Sequence, residues 1–264
     1  MDRLLEVENL SISFGGIAAV DSVSLHAGKG EITAVIGPNG AGKTTLFNMV
    51  TGVYRPSQGR IRFAGNDVTG HPLHALAASG MSRTFQNLRI FEEMTALENV
   101  MVGFHLHRKV GLVPGLLGLP VVHRERRDLR EQAHALLKRV HLGDVAGRIA
   151  TTLSYGQMKR LEIARSLATD PEMLLLDEPA AGCNAVETAE IDELIRQLRQ
   201  EGLCIVVVDH DMQMIMSMSD RVFVLDGGRK IAEGTPAEVA RDPKVIASYL
   251  GSDAEVDPGV TGYA

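Results

Sequence analysis

The sequence predicts an α/β fold with a mostly parallel sheet, an N-terminal antiparallel β part and an inserted helical subdomain. Short apolar runs alternate with helical patterns, as expected where helices cross over between parallel strands. Between about residues 87 and 168 the β signal gives way to helical periodicity. The chain has 264 residues, 45% of them hydrophobic, and is therefore long enough to bury a sizeable core.

The individual strands are predicted from their apolar patterns. Residues 5–9 alternate apolar and polar side chains, which indicates a half-exposed antiparallel strand. Residues 31–36, 173–176 and 204–208 are short apolar runs that predict buried strands, and residues 221–225 predict another.

The helical subdomain is predicted from a stripe of apolar residues at helical spacing in residues 126–140. The stripe consists of Leu129, Ala133, Leu136, Leu137 and Val140. We expect one domain over residues 1–251, with the subdomain inserted at about 87–168. Residues 252–264 are polar and predict a frayed tail.

Composition narrows the possible functions. Acidic residues outnumber basic ones 33 to 27, giving a formal net charge of -6, which disfavours a nucleic-acid partner. Cys183 and Cys204 are too few for a disulfide framework and favour a reducing compartment. The apolar stretch 111–122 is interrupted by prolines and glycines and is shorter than the about 20 residues of a spanning helix, so we expect no membrane span. That stretch is either a packed loop or a surface for a membrane partner.

A phosphate-binding motif follows the first apolar strand. It matches the pattern G-x-x-x-x-G-K-[ST] and comprises Gly37, Pro38, Asn39, Gly40, Ala41, Gly42, Lys43, Thr44 and Thr45. Its glycines let backbone N–H groups surround phosphate oxygens at the start of a helix. Lys43 would reach the β- and γ-phosphates, and the Thr44 hydroxyl would bind Mg²⁺.

Two carboxylates follow the apolar run at 173–176. Asp177 is positioned to hold Mg²⁺, and Glu178 can accept a proton from an attacking water. Taken alone, the pair could also be an acidic turn that closes a core strand. Together with the phosphate motif it predicts nucleotide hydrolysis.

A third motif, Leu-Ser-Tyr-Gly-Gln at residues 153–157, precedes a helical pattern. Ser154 and Gly156 offer a hydroxyl and a bare backbone N–H at a helix start, which suits an anion, although a simple N-cap would look the same. With the phosphate motif, Gln86, the carboxylates and His210 in this order, the chain resembles the ATP-binding subunits of ABC transporters over nearly its whole length.

The resemblance implies a P-loop NTPase with an ABC ATPase core, and it implies roles for further residues. Phe14 would stack on adenine, although it could instead be a core aromatic. Gln86 would reach Mg²⁺ and sense the membrane subunits, and His210 would contact the γ-phosphate. Ser154 and Gly156, within the signature that Gln157 completes, would bind the γ-phosphate held by the opposite subunit.

Two departures from the common pattern narrow the subfamily. Tyr155 stands where glycine is commonest in the family. Residues 181–184, which correspond to the loop that crosses the dimer seam (the seam loop), read AGCN where SALD is usual. Whether Cys183 and Asn184 keep the seam contacts is left open. Together with the sequences of residues 83–87 and 161–165, these variants resemble those of the branched-chain amino-acid importers, specifically the larger of their two ATP-binding subunits.

The resemblance implies an ATPase that uses ATP and Mg²⁺ and closes as a nucleotide-sandwich dimer, with a like or unlike second subunit. Its expected partners are two membrane permeases and an extracytoplasmic solute-binding protein, and its expected place is the cytoplasmic face of the cell membrane. Alternatives are an ABC ATPase for urea, short amides or lipopolysaccharide, a soluble ABC protein without transport, and a switch that does not hydrolyse ATP.

Overall fold

The computed structural model describes residues 3–84, 88–107, 120–209 and 211–252. The strands in these ranges are β1 Arg3–Phe14, β2 Ile17–Gly28, β3 Ile32–Ile36, β4 Gln58–Phe63, β5 Asn66–Asp67, β6 Met81–Arg83, β7 Met173–Asp177, β8 Cys204–Val208, β9 Arg221–Asp226 and β10 Arg229–Gly234. The helices are α1 Lys43–Val50, α2 Leu73–Ala78, α3 Ala96–Gly103, α4 Pro120–Arg139, α5 Tyr155–Leu167, α6 Ala185–Gln200, α7 Met212–Met218, α8 Pro236–Val239 and α9 Pro243–Ser252.

The chain divides into two compact units. The first comprises residues 1–72 and 206–264, and the second comprises residues 73–205. The boundary at 205/206 falls within β8. This division does not test the predicted limits of the subdomain at about 87–168, which stay a prediction.

The first unit contains the antiparallel sheet expected at the N-terminus. Its strand order is β2-β1-β4-β5, with β1 antiparallel to both of its neighbours. The alternation predicted for residues 5–9 is present, because Leu5 and Val7 are buried whereas Glu6 and Glu8 are only partly buried and Asn9 is exposed. β1 is longer than this segment, and its pairing with β2 runs from Arg3 opposite Gly28 to Phe14 opposite Ile17.

The first unit also contains a parallel strand pair that leads to the phosphate motif. β3 lies parallel to β9, with Thr33 opposite Arg221 and Ile36 opposite Val224, and β10 is antiparallel to β9. All five residues of β3 are buried, as expected of a parallel strand covered on both faces.

The second unit combines a parallel strand pair with the predicted helices. β6 lies parallel to β7, with Met81 opposite Met173, and all five residues of β7 are buried. α3 packs against both α4 and α5. In the predicted stripe, Ala133 and Leu137 of α4 and Val140 directly after it are fully buried, whereas Leu129 and Leu136 are half-buried, so this face of α4 points to the core.

Two segments of the sequence analysis lie wholly or largely outside the described residues. These are the tail, of which only Ser252 is described, and the stretch 111–122, of which residues 111–119 are not. Among the helices in the described ranges, none is both long and apolar enough to cross a membrane.

Candidate active site

The phosphate motif joins β3 to α1 in the first unit. β3 ends at Ile36, and α1 begins at Lys43. Gly42 is the N-cap of α1 and has a φ of 96°, a left-handed conformation that favours glycine. Gly42 has no side chain that could cap the first turn of α1, and a glycine at this position is typical of helix starts that bind anions.

Close packing within the first unit fixes the two outer glycines of the motif. A Cβ added at Gly37 would lie 2.1 Å from the carbonyl oxygen of Leu225, and one added at Gly42 would lie 2.5 Å from that of Ala19. The Gly228 N–H also donates to the Ala41 carbonyl at 3.2 Å. The backbone of the motif is therefore held by β2, β9 and the turn after β9.

Lys43 lies against its own loop. Its buried side chain folds back so that Nζ donates to the carbonyl oxygens of Gly37 at 2.6 Å and Pro38 at 3.0 Å. Thr44, the next residue of α1, is exposed. The ammonium group is therefore held at the loop, and the adjacent hydroxyl is accessible.

Phe14 is an exposed aromatic residue at the end of β1. Its ring is 47% exposed and makes an edge-to-face contact with Tyr54, with ring centroids 5.4 Å apart. This exposure argues against a core role and leaves a ring face for a flat base.

Asp177 is the last residue of β7 in the second unit, and Glu178 directly follows it. The Asp177 carboxylate is almost fully buried and accepts a hydrogen bond from the equally buried Arg83 guanidinium at 2.8 Å. The Asp177 N–H donates to the Thr84 hydroxyl at 3.4 Å. The sequence analysis used Arg83 only as part of the family segment 83–87 and did not predict this pairing, because the two residues lie 94 positions apart and no local pattern encodes it.

Glu178 has a strained backbone. Its φ is 48°, in the left-handed region where a non-glycine residue costs about 1–3 kcal/mol. The Lys159 ammonium donates to the Glu178 carbonyl oxygen at 3.2 Å. Five other non-glycine residues in the described ranges share this conformation, so it does not by itself assign the predicted role to Glu178.

The signature motif begins α5. Ser154 is its N-cap and forms a reciprocal capping box with Gln157, so the N-cap reading from the sequence is correct. The Ser154 hydroxyl also donates to the Glu187 carboxylate at 2.6 Å, and the Gly156 N–H donates to the same oxygen at 3.2 Å. The groups predicted to bind phosphate therefore contact a carboxylate of the same unit.

The two departures from the common family pattern contact each other. A Cβ added at Gly182 would lie 3.1 Å from Cε1 of Tyr155, so the Tyr155 ring uses the space that a side chain at 182 would fill. The Lys159 ammonium lies over the same ring, with Nζ 5.8 Å from the Tyr155 ring centroid. A tyrosine in the signature and a glycine in the seam loop are thus complementary.

The seam loop ends at Asn184, which is the N-cap of α6. Its side chain accepts hydrogen bonds from the N–H groups of Val186 and Glu187, each at 3.0 Å. Asn184 therefore has a capping role within its own chain. Cys183 is half-buried, and burial raises the pKa of its thiol.

Gln86 and His210 lie outside the described residues. Of the residues that flank His210 in the sequence, Asp209 accepts the Asp211 N–H at its carboxylate at 3.0 Å, and Asp211 caps α7 by accepting the Met214 N–H at 3.0 Å. The roles predicted for Gln86 and His210 stay predictions.

Comparison with known proteins adds independent support. Residues 20–181 match the family model described as ABC transporter, and residues 229–255 match that described as branched-chain amino acid ATP-binding cassette transporter. BraF of Pseudomonas aeruginosa, a high-affinity branched-chain amino acid transport ATP-binding protein, is 45% identical over 94% of this chain and 98% of its own. LivG of Escherichia coli has the same description, identity and coverage.

A solved structure has the same fold. The ADP conformation of MJ1267, an ATP-binding cassette of an ABC transporter, superimposes with a TM-score of 0.83. It is 34% identical and covers 95% of this chain and 100% of that one.

A phosphate loop, a strand ending in two carboxylates and an LSxGQ-type signature define an ATPase of the ABC class. The chain belongs to the ABC transporter ATP-binding family, and within it to the branched-chain amino acid transport ATP-binding proteins. The predicted fold, nucleotide binding and coupling of ATP hydrolysis to transport are confirmed.

Proposed function

We propose that the chain hydrolyses Mg-ATP to power the import of branched-chain amino acids, namely leucine, isoleucine and valine. The substrate class is supported by the 45% identity to BraF and LivG over 98% of their length. A lipopolysaccharide export ATP-binding protein, LptB of Acidithiobacillus ferridurans, is 34% identical. The greater identity favours amino-acid import over lipopolysaccharide transport.

The observation that carries the nucleotide chemistry is the position of the Lys43 ammonium. It is held by the Gly37 carbonyl oxygen on a loop whose backbone is fixed by packing. In the proposed reaction the β- and γ-phosphates bind the loop N–H groups and Lys43, and Phe14 stacks on adenine. A water attacks the γ-phosphorus, its proton passes to the Glu178 carboxylate, and the bond from the γ-phosphorus to the bridging oxygen breaks. Gln86 and His210 complete the site in this proposal.

The residues proposed to hold Mg²⁺ are Thr44, Gln86 and Asp177. A hydroxyl, an amide and a carboxylate are the hard oxygen donors that this cation prefers, and Thr44 is exposed for the purpose. When bound, Mg²⁺ would neutralise charge on the β- and γ-phosphates.

We propose that two cassettes enclose each nucleotide, so that Ser154, Gly156 and Gln157 of one act on the phosphates bound by the other. Support comes from the single copies of the phosphate motif and of the signature, and from the dimeric structure of the cassette MJ0796, which is 25% identical with a TM-score of 0.74. The proposed partners are two permeases, a second cassette and an extracytoplasmic binding protein. The proposed place is the cytoplasmic face of the cell membrane.

The test of the substrate is uptake of labelled leucine by cells whose only copy of this chain is wild type or Lys43→Ala. We expect leucine uptake to be lost in the variant and retained in Lys138→Ala, which removes an exposed lysine of α4. Labelled urea is the competing substrate. Loss of urea uptake with unchanged leucine uptake would replace the amino-acid assignment with an amide one.

A further inference from the structure

The Glu187 carboxylate occupies the hydrogen-bond donors of the signature. Its Oε1 atom accepts the Ser154 hydroxyl at 2.6 Å and the Gly156 N–H at 3.2 Å. A hydroxyl and a backbone N–H that converge on one anionic oxygen also make up a phosphate-binding arrangement. Both donors are those assigned to the γ-phosphate of the opposite cassette.

Helix capping alone does not explain this contact. Three helices in the described ranges begin with a capping box that has glutamate as its third residue: Glu98, Glu187 and Glu238. Glu98 and Glu238 use one carboxylate oxygen for the N–H and hydroxyl of their own N-cap threonine. Glu187 uses Oε2 for the Asn184 N–H at 3.3 Å and directs Oε1 to the signature.

The fit between the two segments is close. A Cβ added at Gly156 would lie 2.6 Å from Cβ, Cγ and Cδ of Glu187, so this approach requires glycine at 156. The carboxylate is charged at neutral pH, as an ordinary glutamate is, and the Ser154 hydrogen bond, more than any other cause, holds the pKa of Glu187 below its ordinary value. Hydrogen bonds from the Asn184 and Gly156 N–H groups and the charge of Arg160 act in the same direction.

We propose that the Glu187 carboxylate takes the place of the phosphate at the signature. This carboxylate must leave the signature before the nucleotide of a second cassette can bind there. The inference rests on the proposed nucleotide sandwich and adds a restraint on its formation. A carboxylate at this position competes for the same two donors and repels the incoming phosphate. Glu187 also accepts the N–H of Asn184, the last residue of the seam loop. Movement of Glu187 when a phosphate binds would therefore be transmitted to the seam loop.

The decisive variant is Glu187→Gln in a Glu178→Gln background, in which bound ATP is not hydrolysed. Glutamine retains the capping-box geometry at the third helical position but removes the charge. The matched control is Glu238→Gln in the same background, since Glu238 has the same capping role at α8 without the second contact. ATP-dependent dimerisation is measured by sedimentation or light scattering over a range of protein concentrations.

We expect the Glu187→Gln chain to dimerise on Mg-ATP at a concentration at least about fivefold lower than its parent, because one repulsive charge is removed at each signature. The Glu238→Gln control should match the parent. An unchanged or higher midpoint for Glu187→Gln, while the parent still dimerises, would overturn the restraint and leave the nucleotide sandwich standing. If none of the chains dimerises on ATP, self-association is contradicted and the second cassette is an unlike chain. The Glu187 contact is then decided by the measurement on the nucleotide-free chain.

A second measurement tests the contact in the nucleotide-free chain and needs no dimer. The Gly156 amide resonance should shift with pH as Glu187 titrates, and this shift should vanish in Glu187→Gln. Hydrogen exchange at the same amide should accelerate in Glu187→Ala, which removes the acceptor. A Gly156 resonance that ignores both the pH and the substitution would overturn the contact.

Discussion

The phosphate loop and the signature region both begin a helix, yet the chain places side chains of opposite charge on them. In the loop, the Lys43 ammonium lies on the carbonyls of Gly37 and Pro38. In the signature, the Glu187 carboxylate lies on the donors of Ser154 and Gly156. One region therefore attracts a phosphate in the isolated chain, whereas in the other the chain's own anion uses the donors.

The two regions also differ in what holds them. The loop is held by close backbone approaches at Gly37 and Gly42, which cannot change without moving strands. The signature is held by the capping box of Ser154 and Gln157 and by the Glu187 side chain, whose hydrogen bonds can be released by a change of rotamer without moving a strand. The difference suggests that the loop binds nucleotide first and the signature responds to it.

The largest effect on turnover should follow from removing the proposed general base, the Glu178 carboxylate. Glu178→Gln is expected to lower ATP turnover by about 10²–10⁴-fold, because the amide cannot accept the proton of the attacking water. ATP affinity should remain close to wild type, since the loop is untouched. Phosphate release and a nucleotide titration measure the two quantities. Turnover within a few-fold of wild type would remove Glu178 from the reaction.

A pair of variants separates the loop from the signature. Lys43→Ala should weaken ATP binding to the isolated chain by roughly 100-fold, the equivalent of about 3 kcal/mol of charged hydrogen bonds. Ser154→Arg should leave that affinity intact but lower turnover on the order of 100-fold, because the donor to the opposite nucleotide is lost. Calorimetry and turnover assays check both. Equal loss of affinity in both variants would contradict the separation.

A further variant concerns the buried ion pair between Asp177 and Arg83. Arg83→Met should destabilise the chain by about 3 kcal/mol, because Asp177 would keep a buried charge without this partner. The exposed Arg127, which pairs with Asp128 and Glu131, provides the control, and Arg127→Met should change stability by less than about 1 kcal/mol. Denaturant unfolding gives both values. Similar losses in the two variants would show that burial of the Arg83 pair has no special weight.

The smallest effect concerns the complementary pair in the signature region. Gly182→Ala should cost about 1–2 kcal/mol, because its φ is 81° and the new Cβ meets the Tyr155 ring at 3.1 Å. In a Tyr155→Ala background the same change should cost less by several tenths of a kcal/mol, since only the backbone strain remains. Urea unfolding of the four chains measures this coupling. Strict additivity would show that ring and glycine are independent.

The sequence predicted the parts of this fold that have strong local patterns. β3, β7 and β8 are runs of buried apolar residues and were located to within a residue or two. β6 is only three residues long and contains Ser82 and Arg83, so no apolar run marks it. β4 was missed for a similar reason, since most of its residues are polar or exposed.

The same limit applies to the candidate site. The phosphate loop, the carboxylates and the signature are contiguous motifs and could be identified by inspection. Arg83 and Glu187 could not, because their contacts join residues 94 and 33 positions apart. A contact of this kind depends on how elements pack, and a single sequence has no pattern that records it.

The packing of Gly37 and Gly42 has a consequence for recognising inactive descendants of this chain. Mutations that abolish ATP binding would relax selection on Lys43 and Thr44, whose side chains serve the nucleotide in the proposed reaction. They would leave Gly37 and Gly42 under selection, because a side chain at either would collide with a carbonyl oxygen of Leu225 or Ala19. In a degenerate copy the glycine pattern should therefore outlast the activity, and the lysine is the better marker of a working enzyme.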